Sequence, residues 1–182
     1  GQLVLCQKAG LLNLPPVIIN ELVEAMKQVK PEPAQALAQK LVNKQVIFVA
    51  AEHLTGPVHT IKNQMNENAK HLSHRHDLPE LNHHLMEGLR FPESNPATIM
   101  FWFISSALYS ARLTQRLQLT QEVVEKNNLT GVVWQARAKT KLAQAFELIQ
   151  FGAYVNFYLS QLHGIDPAPI PWVDYFKEKL GH

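Results

Sequence analysis

Short strand-like runs recur along this chain with helical stretches between them, and that alternation restricts the fold more than any other feature. Gln45 to Ala50 reads QVIFVA, and Thr98 to Ile104 reads TIMFWFI. Both are continuous apolar runs of the kind found in strands buried on both faces. Gly131 to Ala136 is a third candidate, and His71 to Leu78, closed by Pro79, is a fourth. Helical patterns separate them: a polar stretch from the Thr55-Gly56-Pro57 turn to Lys70, a short helix holding His83 and His84, and a helix from about Ala107 to Lys126. A long helix from Thr140 to His163 follows, stopped by Gly164, and Trp172 to Leu180 close the chain as a further helix. Strands alternating with helices imply a parallel sheet between helical layers, a three-layer α/β/α sandwich. Such sheets commonly carry their chemistry at the carboxyl ends of strands.

The first forty or so residues lack strand signals. Val17, Ile18, Leu22, Met26 and Val29 form an apolar stripe after Pro15-Pro16, and Pro31 and Pro33 divide that helix from an Ala-rich second one. At 182 residues the chain suits one domain with an appended helical segment. A core of this size needs no metal or disulfide staple, and the single cysteine, Cys6, fits a reducing, cytoplasmic setting. The 17 basic and 15 acidic residues are spread along the chain, which argues against a nucleic-acid or anionic-membrane partner. The longest uncharged run, between Glu93 and Arg112, includes Ser105, Ser106 and Ser110, and its apolar part is shorter than a membrane span. Ser105 and Ser106 read as a helix start.

Residues 62–91 carry the chemistry. Lys62, Asn63, Gln64, Asn66, Glu67, Asn68 and Lys70 crowd one helical stretch. Glu67 and Lys70 share a face, and a carboxylate among amides can be fixed in place and still accept a proton from carbon. A merely solvated helix face accounts for the same residues. Histidines cluster between residues 53 and 84, and His74 and His76 would share a strand face. No cysteine or helical His–carboxylate pairing accompanies them, so no metal is expected. His83 follows LPELN at a strand-to-helix junction, where an imidazole can act as acid or base near neutral pH. His84 reads as a surface or packing residue. Trp172, Tyr175 and Phe176 read as core, and Arg112 and Arg116 as a solvated helix face.

KNQMNENAK (62–70), LPELNHH (78–84) and GIDPAPIPWVDYFKEKL (164–180) resemble the bacterial and archaeal phosphoglucose/phosphomannose isomerase family. The resemblance spans residues 40 to 180. It implies the sugar isomerase (SIS) fold with a five-stranded parallel sheet. By motif match Glu67 looks like the catalytic base, and His83 and Lys177 like the residues that assist ring opening. His83 is expected to be given to the active site of a partner subunit in a homodimer, with a sugar phosphate as substrate. Asn66 and Lys70 are further substrate-binding candidates.

The resemblance also implies a division of the chain. Residues 1–42 would connect to a first SIS half, and residues 43–182 would be the C-terminal SIS domain. The phosphate-gripping Ser/Thr-rich loop of that first half has no counterpart here. The chain is therefore read as part of a longer one, with Gly1 a tag remnant, and as inactive by itself. Thr60-Ile61 stands where a basic-aromatic pair is common in the family, and Ala168 where threonine is common, which bears on substrate breadth. A non-catalytic SIS module that senses a sugar phosphate is the alternative.

Overall fold

The computed structural model describes residues 2–181; Gly1, read above as a tag remnant, and His182 lie outside them. Three helices open the chain: α1 (Gln2–Lys8), α2 (Pro16–Lys27) and α3 (Pro31–Leu41). Proline occupies the first position of α2 and α3, where its missing N–H costs no intrahelical bond and its fixed φ suits a helix. The α/β part follows as β1 (Gln45–Ala50), α4 (Thr55–Glu67), β2 (Ser73–Asp77), α5 (Leu81–His84), α6 (Asn95–Thr98), β3 (Ile99–Ser106), α7 (Ala111–Lys126), β4 (Thr130–Ala136), α8 (Lys141–Leu162) and α9 (Pro171–Leu180).

The sheet is wholly parallel, in the order β2-β1-β3-β4. In β1 every residue but Gln45 is buried, and in β3 all but Ile99 and Ser105 are. That burial explains their unbroken apolar composition. Phe48 of β1 stands opposite Trp102 of β3, their ring centroids 4.9 Å apart, and Phe151 of α8 meets the Trp102 ring edge-on at 6.0 Å. β2 and β4 are the edge strands and carry polar or alternating residues.

Three expectations are corrected. Four strands, not five, make the sheet among the described residues; the fifth came from the resemblance. Ser105 and Ser106 end β3 and do not start a helix; the start lies at Ser110, whose Oγ accepts the Leu113 N–H at 3.4 Å. Trp172, Tyr175 and Phe176 are not core. The proline-rich stretch before α9 carries that helix off the domain, α9 buries no residue, and Trp172 is 82% and Phe176 62% exposed.

α8 is the longest helix, and it packs against α2, α3 and α4. Its contact with α4 is close: a Cβ added to Gly152 would lie 2.4 Å from Ile61 Cγ2 and 2.7 Å from Ile61 Cβ. One turn on, Asn156 Nδ2 donates to the Ile61 carbonyl at 3.2 Å. These contacts hold α4, and so the residues at its end, at a fixed distance from the body. Among the described residues, no helix is long and apolar enough to cross a membrane.

Candidate active site

The crossover between the first two strands sends the chain up β1, back down α4 and up β2. Glu67, the last residue of α4, therefore lies before the amino end of β2 and not at the carboxyl edge where open sheets usually carry chemistry. It is exposed on one wall of a groove of about 440 Å³, whose other wall is Ile170, Pro171, Trp172 and Val173 at the start of α9. Lys177 sits four residues past Val173, one turn along the same helix face. These residues leave Glu67 exposed to water.

The neighbours of Glu67 are tied down. Asn66 Oδ1 accepts the Ser73 N–H at 2.8 Å and the Ser73 hydroxyl at 3.0 Å, and this joins the end of α4 to the first residue of β2. Lys70 has a left-handed backbone (φ 51°), which turns the chain after α4. Its ammonium folds back to donate to the Glu67 carbonyl and, at 3.1 Å, to the Pro167 carbonyl. His71 is 8% exposed. Its Nε2 bonds the Lys44 carbonyl, and its Nδ1 lies 3.0 Å from His163 Nε2, the two ring planes within 16° of each other. Burial holds the His71 imidazole below the ordinary histidine range; the Lys44 carbonyl opposes this, and His163 adds to it.

His83 is elsewhere. It is exposed on α5, beyond the carboxyl end of β2. The five residues of β2 alone put roughly 15 Å between the strand's two ends. Glu67 thus borders a groove whose far wall is the start of α9, Lys177 lies one turn beyond that wall, and His83 of the same chain is at the opposite edge. His84 is exposed too, its ring 5.6 Å from that of His76. Burial, with His84 and His74, holds His76 low, against the pull of Asp77. Among the described residues, no three His, Cys, Asp or Glu side chains gather closely enough to hold a metal ion. Arg116 donates to Asn82 Oδ1 at 3.3 Å, and Arg112 is exposed.

The carboxyl edge is interlocked. The strand order turns between β1 and β3, the position where open sheets usually bind ligands. There Gln144 Oε1 meets His53 Nε2 at 2.8 Å and accepts the Ser106 hydroxyl at 2.6 Å, while Gln144 Nε2 donates to the Ala138 carbonyl. Tyr109 accepts the Ala51 N–H and donates to the Ile104 carbonyl; burial pushes its phenol up to about 12. Glu52 accepts the Ser110 N–H and pairs with Lys141 at 3.2 Å. The Ser110 bond holds its carboxyl below the usual range, burial opposing and Lys141 assisting. Beside β4, the Glu147 carboxylate accepts the Arg137 and Ala138 N–H groups.

Sequence reading missed His71, His163, Gln144 and Gly152. The two histidines are separated by 92 positions, and only the fold brings them together.

Comparison with known proteins bears on this arrangement. Residues 30–180 match the family model described as bacterial phospho-glucose isomerase C-terminal SIS domain. The chain belongs to this family. Within it, the chain is 26% identical over 178 residues to a bifunctional phosphoglucose/phosphomannose isomerase of Aquifex aeolicus, covering 93% of this chain and 55% of the relative. A protein of the same name from Caldicellulosiruptor bescii is 28% identical over 169 residues, covering 90% of this chain and 49% of the relative. The chain thus spans about half the length of these relatives. Among solved structures, a glucose-6-phosphate isomerase like protein from Thermus thermophilus shares the fold at a TM-score of 0.65 and 21% identity, over 81% of this chain and 51% of that one.

Proposed function

We propose that this chain is the C-terminal catalytic half of a sugar-phosphate isomerase that interconverts glucose 6-phosphate, and also mannose 6-phosphate, with fructose 6-phosphate. The observation that carries the reading is the shared groove: Glu67 on one wall and the start of α9, leading to Lys177, on the other. Family membership over residues 30–180 supports the reaction class, and the names of the relatives support the substrates.

In this reading Lys177, with a His83 from the second subunit of a homodimer, opens the pyranose ring by acid–base catalysis at the ring oxygen and anomeric hydroxyl. Glu67 then takes the proton from carbon 2 and returns it to carbon 1 through a cis-enediol, which needs no metal and no organic cofactor. Rotation about the carbon 2–carbon 3 bond lets one base serve both aldoses. The placement of Glu67 and His83 at opposite ends of β2 supports a site completed by two copies. Lys70 spends two donors on carbonyls and keeps a third for a substrate oxygen. Asn66, a further substrate contact in this reading, also anchors Ser73. The phosphate would be held by a first SIS half, and that half, packed over the groove, would exclude water from Glu67 and raise its basicity. The reading places the protein in the cytoplasm.

The test is isomerase turnover in a chain that also carries the family's first half. Glu67→Gln is expected to lower kcat by about 10²–10⁴-fold with unchanged thermal unfolding. Lys177→Ala and His83→Ala are expected to slow cyclic substrate most and to recover with an open-chain sugar. A Glu67→Gln enzyme with near-normal turnover removes Glu67 as the base. If that variant lacks turnover and the wild type does too, while both bind sugar phosphate alike, the chain is a sensing module.

A further inference from the structure

α9 buries no residue against the domain, so its place over Glu67 is set by the segment that leads into it. That segment runs from the end of α8 at Leu162 to Pro171 and contains Pro167, Pro169 and Pro171, each with φ fixed by its ring. It is pinned twice to the end of α4. The first pin is Lys70, whose ammonium bridges the Glu67 carbonyl and the Pro167 carbonyl. The second is the His71–His163 contact.

Hydrogen-bond partners fix the protons of the second pin. The Lys44 carbonyl can only accept, so His71 Nε2 carries hydrogen and its Nδ1 is the acceptor. His163 Nε2–H must then donate to it. His71 is in turn held by the Lys44 carbonyl just ahead of β1, so the pin is anchored in the sheet. A stiff segment fastened at residues 163 and 167 leaves α9 little freedom at residue 171.

We propose that Lys70, His71 and His163 are positioning residues that set the separation between Lys177 on α9 and Glu67 on α4. The assignment rests on the reading of Glu67 and Lys177 as the acid–base groups. Lys70 tolerates a left-handed backbone that favours glycine, and the side chain it keeps there is the one that forms the bridge.

Two measurements test it. On this chain, with Cys6→Ser, nitroxide labels at Thr60→Cys and Glu178→Cys report the α4–α9 distance by pulsed electron resonance. A single narrow distribution is expected for the parent and a broader one for His163→Ala and Lys70→Met. His163→Gln, whose amide N–H can still donate to His71, restores the narrow form. An equal width in parent and His163→Ala overturns the proposal. In a chain that also carries the family's first half, His163→Ala is expected to lower kcat by about 10²-fold, the cost of roughly 1 Å of misplacement, with KM nearly unchanged and His163→Gln recovering the loss. Undiminished kcat in His163→Ala overturns the proposal even if α9 has loosened. If Glu67→Gln also keeps full turnover, the reading of the base fails instead, and the distance result stands apart from it.

Discussion

The two ends of the sheet have been put to opposite uses. At the carboxyl end, Glu52, His53, Ser106, Tyr109 and Gln144 bond to one another and to the backbone, and fill the turn in strand order with the chain's own side chains. At the amino end, Glu67, Lys70 and α9 border an open groove, and the apolar side chains of α9 face solvent. A general expectation for parallel sheets would look for chemistry at the first end. Here the turn in strand order at the first end is closed by internal hydrogen bonds; Glu67 borders the groove at the second end, Lys177 lies one turn along α9, and His83 is exposed beyond the carboxyl end of β2. Where strand ends are bonded largely to their own chain, the ends of the returning helices become the free functional positions.

This contrast breaks if changes at the closed end leave stability intact or changes at the open end damage it. The largest expected effect is at the link between them. Gly152→Ala forces a methyl group into Ile61 and should lower unfolding free energy by about 1–3 kcal/mol, read as a lower urea midpoint. At the closed end, Gln144 is 2% exposed. Gln144→Ala strands the Ser106 hydroxyl and should cost about 1–3 kcal/mol. An unchanged midpoint would show that the network is not what holds that end.

A smaller effect belongs to the open end and depends on pH. His71 is held low by burial, so the unfolded chain takes up its proton more readily than the folded one. Its contribution is complete above the unfolded histidine value of about 6.5 and is lost as pH falls from there toward the lowered folded value. His76, also held low, acts with the same sign. Urea midpoints should therefore drop between neutral and mildly acidic pH, and His71→Asn should flatten the drop; a rise on acidification would contradict the placement of both rings. The smallest effect is at Trp172. With 82% exposure, Trp172→Ala should change the unfolding free energy by no more than about 0.5 kcal/mol, and a larger loss would mean that α9 is part of the core after all.

Much of the fold was legible. The runs around Phe48 and Trp102 declare themselves because both faces of those strands are buried. β2 was legible only through its spacing, since SHRHD is an edge strand whose outward residues have no reason to be apolar. The end of β3 was misread at Ser105 and Ser106 because a serine capping a helix and a serine bonding Gln144 look alike in sequence. α9 was misread for a related reason: Trp172, Tyr175 and Phe176 are what a core helix would carry, and sequence does not say whether anything covers them. For the site, the motifs singled out Glu67, His83 and Lys177, but not that Glu67 stands at the amino edge. Nor could any local pattern reveal that His71 and His163 meet.

The 22-residue α8 has Gln144 near its beginning and is followed at once by His163, so it acts as a strut of roughly 30 Å between the two ends. Helices are stiff along their axis, so loosening of the interlocked end displaces the far tip of the strut. The precision with which α9 is aimed is therefore borrowed from a network that no substrate touches.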